Sequence, residues 1–343
     1  MTREAVPGRA GDKKRRRRGR DEFQMVPDAE FTSYYGRPVV KPAPWTHDIP
    51  AYLFLGGLAA GSSLLAAGAT VSGRDALRRT GRLGALAAIR GSMYALVHDL
   101  GVPSRFHHML RVAKPTSPMS VGTWILTLYG PMAGIAGAAE LLPVLPKSLR
   151  DGALGALLRA IATPAGFAAA ATAPAIASYT AVLLSDTATP AWHEAHRQLP
   201  FVFVGSAAAA AGGLGMLGAP TAQAGPARRF AVAGAILEVV MERRMETDMG
   251  LAAETLRTGK AGRLLNVSKA MTSVGVLGAA TFAGRSRFVA ALSGAALLAG
   301  SACTRFAIFE AGQESARDPK YTVAPQRERL NAGHPARSDG QLT

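Results

Sequence analysis

Residues 50–72 read PAYLFLGGLAAGSSLLAAGATVS, twenty-three positions without one charged side chain. A helix needs about 20 apolar residues to cross roughly 30 Å of hydrocarbon, so this stretch reads as a membrane span. Gly57 and Gly61 stand four residues apart on one helix face. Such a small-xxx-small pattern lets a neighbouring backbone approach closely, as membrane helices do when they pack. Seven further stretches read the same way, near 82–100, 120–142, 160–184, 200–218, 227–243, 265–283 and 288–310. The sixth is the weakest, being short and carrying Glu238. Pro164 and Pro174 in the fourth predict a kink. The fold class is all-α, an integral membrane helical bundle of about eight transmembrane helices.

Composition agrees with that reading. Of 343 residues, 48% are hydrophobic and only 18% charged, below the quarter usual in soluble chains. The single cysteine, Cys303, excludes an intrachain disulfide and a cysteine-ligated iron–sulfur cluster within this chain. The chain divides into a basic tail at 1–45, a transmembrane domain at 46–312 and a C-terminal tail at 313–343. The N-terminal tail has 11 Lys/Arg in residues 1–41, including an unbroken run from Lys13 to Arg18. The acidic and polar residues 21–24 follow it where an export signal would need an apolar stretch. A solvated tail held near anionic lipid is the expected reading, and nucleic acid is not an expected partner.

Numbering the loops alternately sorts the reactive side chains. Trp45, His47, Asp48, His98, Asp99, His107, His108, Trp124, Asp186, Trp192, His193, Glu194 and His196 all fall on one face or at its helix ends, and His334 joins them. The other face keeps short Gly/Arg loops. An even number of spans puts both termini on one side. The short loops carry Lys/Arg almost equally on the two faces, so they do not set orientation; the basic tails favour cytoplasmic termini.

The loop from Asp99 to Trp124 is rich in Pro, Gly and charge. Asp99 could pair with Arg105 there or orient a proton acceptor; a surface ion pair of that kind contributes about 0–1 kcal/mol. Arg90 and Glu238 fall inside spans, where ionisable groups are normally paired and buried, and they could pair with each other. Glu140 and Glu310 also lie near membrane depth. A transmembrane b-type haem needs axial histidines inside helices. Here His47, His107, His108, His193 and His196 are in loops and His98 is at a helix end, so no haem is expected. His193 and His196 have i, i+3 spacing but no clear third zinc ligand, so hydrogen-bonding or structural roles are expected instead.

Three stretches together resemble the NrfD family, the membrane subunit of polysulfide-reductase-type complexes. They are Ile49 to Gly61, Asp99 to Trp124, and Tyr179 to Glu194, and the resemblance spans about residues 30–330. It implies an eight-helix subunit without haem that anchors an iron–sulfur ferredoxin-like subunit and a molybdopterin oxidoreductase subunit. It further implies electron exchange with quinone or quinol at the partner-facing interface, so that the chain alone is not a complete enzyme. Carried onto this sequence, His47 and Asp48 occupy the polar position ahead of the first span, and Tyr129 and Asp99 are neighbouring pocket candidates. The basic tail and Arg90 lie outside the family pattern. A histidine beside a carboxylate suits the exchange of two protons that accompanies two-electron quinone chemistry. The rival class is a transporter or proton-translocating channel, on the strength of the ionisable groups at membrane depth.

Overall fold

The computed structural model describes residues 38–333. The basic run at 13–18, Tyr34, Tyr35 and His334 lie outside the described residues. Eight long helices follow in order: α1 (Asp48–Val71), α2 (Asp75–His98), α3 (Pro118–Leu141), α4 (Ala153–Ser185), α5 (Leu199–Gly218), α6 (Gly225–Asp248), α7 (Gly259–Thr281) and α8 (Arg287–Arg317). A shorter helix, α9 (Lys320–Gly333), follows within the stretch expected as a tail, and α8 itself continues past residue 312. No strand occurs among the described residues.

The eight long helices fall on the eight expected stretches in the same order. Five of them, α1, α3, α4, α5 and α8, are long and apolar enough to cross a membrane. The other three, α2, α6 and α7, have 24, 24 and 23 residues, matching α1 in length but carrying more charge. Consecutive helices pair as hairpins, α1 with α2, α3 with α4, α5 with α6 and α7 with α8. The hairpins assemble around α1 and α5, which touch each other and α2, α4 and α8. Central position explains their composition, since only small residues let several backbones crowd one helix. A methyl group at Gly61 would stand 2.7 Å from both the Ala207 carbonyl oxygen and Ala211 Cβ. The small-xxx-small face of α1 therefore packs on α5. Helix α4 is one element through Pro164 and Pro174.

Both ends of the described chain lie at the same end of the bundle. Gln313 Nε2 donates to the Ala43 carbonyl at 3.0 Å, and Lys320 Nζ pairs with Glu254 Oε2 at 2.8 Å. That agrees with an even number of crossings.

Two pairings suggested by the sequence are not formed. Arg90 is exposed on the outer face of α2, beside Leu86 and Met93. Glu238 is 2% exposed and accepts from Thr304 Oγ1 at 2.8 Å. The reason is helix order: α2 packs on α1, α3 and α5, whereas α6 packs mainly on α5 and α7 rather than on α2. Asp99 likewise turns away from Arg105 and binds Thr46.

Candidate functional site

The predicted polar end is assembled by residues just before α1, at the end of α2 and near the end of α8. The Thr46 amide donates to Asp99 Oδ1 at 2.9 Å, and the Thr46 hydroxyl approaches the same oxygen at 2.7 Å. That hydroxyl also lies 3.1 Å from Asp48 Oδ2. Asp48 Oδ2 in turn lies 2.7 Å from His98 Nδ1, and the His98 side chain is 60% exposed. Asp99, Thr46, Asp48 and His98 thus form a continuous polar chain ending at the surface. A threonine hydroxyl has one proton to donate. It satisfies one of the two carboxylates at a time, and both contacts are hydrogen bonds only when a carboxyl itself carries a proton.

His47 belongs to a second, adjoining cluster. Its Nε2 is 2.9 Å from Glu310 Oε1, which also accepts from Lys260 Nζ at 2.6 Å. Lys260 Nζ lies 3.3 Å from His47 Nε2. Lys260 opens α7 and Glu310 belongs to α8, so this cluster ties the start of α1 to the last hairpin. Neither partner carried a local signal toward His47; the contact spans 263 residues.

Beside the first cluster is a cavity of about 330 Å³ between the α1 entry, α2, α3 and α4. Asp99 lines it with Trp45, Tyr52, Leu96, Leu126 and Tyr179. The wall is therefore apolar and aromatic, with a carboxylate among its lining groups. That is the usual composition of a pocket for a flat, mostly apolar ligand. Gly122 shapes the wall: a methyl group there would overlap the Tyr179 ring. Tyr179 also lines a second, outer groove of about 690 Å³ that includes Asp186, His193 and His196. No group of three or more potential metal-ligating side chains occurs among the described residues.

Of the four residues singled out from the sequence, Asp99 lines the cavity, while Asp48 and His47 stand in the polar clusters next to it. Tyr129 is placed apart. It is fully buried between helices, and its hydroxyl is 2.8 Å from Ser63 Oγ, a partner on α1. Tyr52 lies within the stretch Ile49 to Gly61, and Tyr179 opens the stretch Tyr179 to Glu194. Their aromatic character was visible; their convergence on one cavity required α1 and α4 to meet. Trp45 stacks on Trp192 with ring centroids 5.6 Å apart. Trp192 is 1% exposed and donates Nε1–H to the Ile308 carbonyl at 2.8 Å. The chain entering α1 is thereby fixed to the segment before α5 and to α8.

A second polar system runs inside the bundle along α6. Glu238, Glu242 and Glu246 follow at intervals of four, on one helix stripe. Lys269 Nζ is 3.0 Å from Glu242 Oε1 and 2.7 Å from Glu246 Oε1. Arg305 is 1% exposed, donates to the Phe203 carbonyl at 2.7 Å and stands over the Phe203 ring at 3.7 Å. Arg305 is near enough to Glu238 for their charges to interact, without a direct ion pair between them.

These features define an integral membrane helical-bundle protein with a polar, aromatic-walled site at one end. Residues 39–238 match the family described as "Polysulphide reductase, NrfD", which is more than half of the chain, and the protein belongs to that family. The family comprises membrane subunits of polysulphide reductase-type complexes, which supports a membrane-anchor role. No match to a curated protein is found.

Proposed function

We propose that this chain is the quinone- or quinol-interacting membrane subunit of an oxidoreductase complex. It passes electrons between quinone and a partner iron–sulfur ferredoxin-like subunit, which is joined to a molybdopterin oxidoreductase subunit. The observation that carries this reading is the cavity beside Asp99. Trp45, Tyr52 and Tyr179 supply aromatic surface for a ring, and Asp99 supplies a proton-exchanging group. The chain from Asp99 through Thr46 and Asp48 to His98 offers a route between that group and water. Proton transfer along such a route needs heavy atoms within hydrogen-bond reach, and each step here lies between 2.7 and 3.1 Å.

The exposed loop at 101–118 and the segment at 186–198 suit partner docking. They share the end of the bundle that holds the site, and the first presents Val102, Phe106 and Val112 to solvent. Both termini are assigned to the cytoplasm, from the basic N-terminal tail. The test is quinone-coupled turnover of the purified complex, with dye-coupled turnover of the catalytic subunit as control. Asp99→Asn is expected to depress the first and spare the second; equal quinone-coupled rates in wild type and variant would refute the assignment.

A second reading, proton translocation, is favoured by the α6 carboxylate row. Glu238 Oε2 and Glu242 Oε1 are buried without a hydrogen-bond partner, although Glu242 Oε1 lies near Lys269 Nζ. Buried polar atoms of this kind are commonly satisfied by internal water. Proteoliposomes containing the complex test it: substrate-driven pH change that survives Glu238→Gln and Glu242→Gln would dismiss this route.

A further inference from the structure

At the end of the bundle opposite the Asp99 cavity, the α1–α2 turn, the start of α6 and the end of α7 border a cleft of about 650 Å³. Arg74, Arg228 and Arg229 line it, and none of them forms an ion pair among the described residues. The Nε atoms of Arg74 and Arg228 are buried without a hydrogen-bond partner. Arg228 stands in the first turn of α6, which has no acidic residue, and Arg229 follows it directly. A helix N-terminus carries positive partial charge, so cations there are unfavourable unless an anion offsets them. Three cations with no acidic partner, gathered at that position, indicate an anionic ligand.

The remainder of the cleft says which kind. From Arg229 the same face of α6 continues through Val232 and Ile236, with Ala279 of α7 opposite. Ile236 is 57% exposed. The cleft is thus cationic at the helix end and apolar toward the middle of the span. A free inorganic anion would use only the first part; a phospholipid would use both. The basic rim is held in place, since Arg74 Nη1 donates to the Ala222 carbonyl at 3.2 Å and Gln223 Oε1 accepts from the Ala76 amide at 2.9 Å. Gly284 packs against the Arg228 guanidinium, where any side chain would overlap it.

We propose that this cleft binds an anionic phospholipid, its phosphate on Arg74, Arg228 and Arg229 and an acyl chain along Val232 and Ile236. Guanidinium groups suit phosphate because their planar donors match its oxygens in pairs.

The full chain, purified and delipidated in neutral detergent, is tested by thermal unfolding with added phosphatidylglycerol, phosphatidylcholine or inorganic phosphate. Phosphatidylglycerol should raise the midpoint by about a few degrees, as a ligand specific to the folded state does, and the other two should not. Arg228→Gln/Arg229→Gln should reduce the phosphatidylglycerol response to that of phosphatidylcholine. Arg111→Gln/Lys114→Gln, at the other end, should leave it intact and so exclude a general charge effect. If the double variant does not purify folded, Arg74→Gln carries the same comparison. The proposal is overturned by an equal response to phosphatidylcholine, by a full response to inorganic phosphate, or by an undiminished response in the cleft variants.

Discussion

Thr46 and Asp99 are joined twice, through the Thr46 amide at 2.9 Å and its hydroxyl at 2.7 Å, although 53 residues separate them. The amide contact fixes where the chain enters α1. The hydroxyl contact does something else: it links the carboxylate lining the cavity to Asp48 and His98. Chain placement and the proposed proton exchange can therefore be separated at one residue.

Thr46→Val keeps the amide and removes the hydroxyl; Thr46→Ser keeps both. Hydrogen bonds to charged groups contribute about 1.5–3 kcal/mol, equivalent to roughly ten- to hundredfold. Quinone-coupled turnover should fall by about that factor in the valine variant and persist in the serine variant, with dye-coupled turnover unchanged in both. A valine variant that matches wild type removes Thr46 from the relay.

Gly122→Ala tests the cavity wall without touching a polar group. The added methyl overlaps the Tyr179 ring, so the ring must shift into the 330 Å³ cavity or toward the outer groove. Overpacking of this kind costs about 1–3 kcal/mol. The expected result is a raised KM for quinone in an assembled complex. An unchanged KM would mean that this wall does not contact quinone.

Much of the architecture could be read from the sequence, because uncharged runs of membrane length report directly on burial in lipid. The starts of α2, α4 and α7 could not. Each begins six or seven residues before the apolar pattern does, and Asp75, Arg78 and Arg79 in α2 hide the helix from a hydropathy criterion. Gly57 and Gly61 announced close packing but not the partner helix. The candidate site was legible in part. Asp99 and Asp48 stand out as carboxylates at span ends, whereas Lys260 and Glu310 reach His47 only through the packing of the last hairpin. Tyr129 shows the limit: its hydroxyl looks like a pocket group in sequence, and Ser63 occupies it in the fold.

Fusing a topology reporter at residue 20 and another after residue 330 tests orientation. Both should report the cytoplasm. Opposite reports would contradict the shared end implied by the Gln313–Ala43 contact, and two external reports would reverse the bundle.

Arg305 and Glu238 provide the sharpest test of the interior. Arg305 is 1% exposed and Glu238 2%; no direct ion pair joins them, but their charges interact across the interior, and removing the cationic neighbour of a buried carboxylate is destabilising. Arg305→Met should therefore lower the thermal midpoint of the purified protein strongly. Part of that loss would come from the Phe203 carbonyl and ring contacts, which Glu238→Gln does not disturb. The double variant Glu238→Gln/Arg305→Met separates the two contributions. It should be more stable than Arg305→Met alone, because the neutral amide no longer needs a cation and can keep its contact with Thr304. If adding Glu238→Gln gives no recovery, the two side chains are not energetically coupled. The effect of Arg305 would then be assigned to its packing against α5.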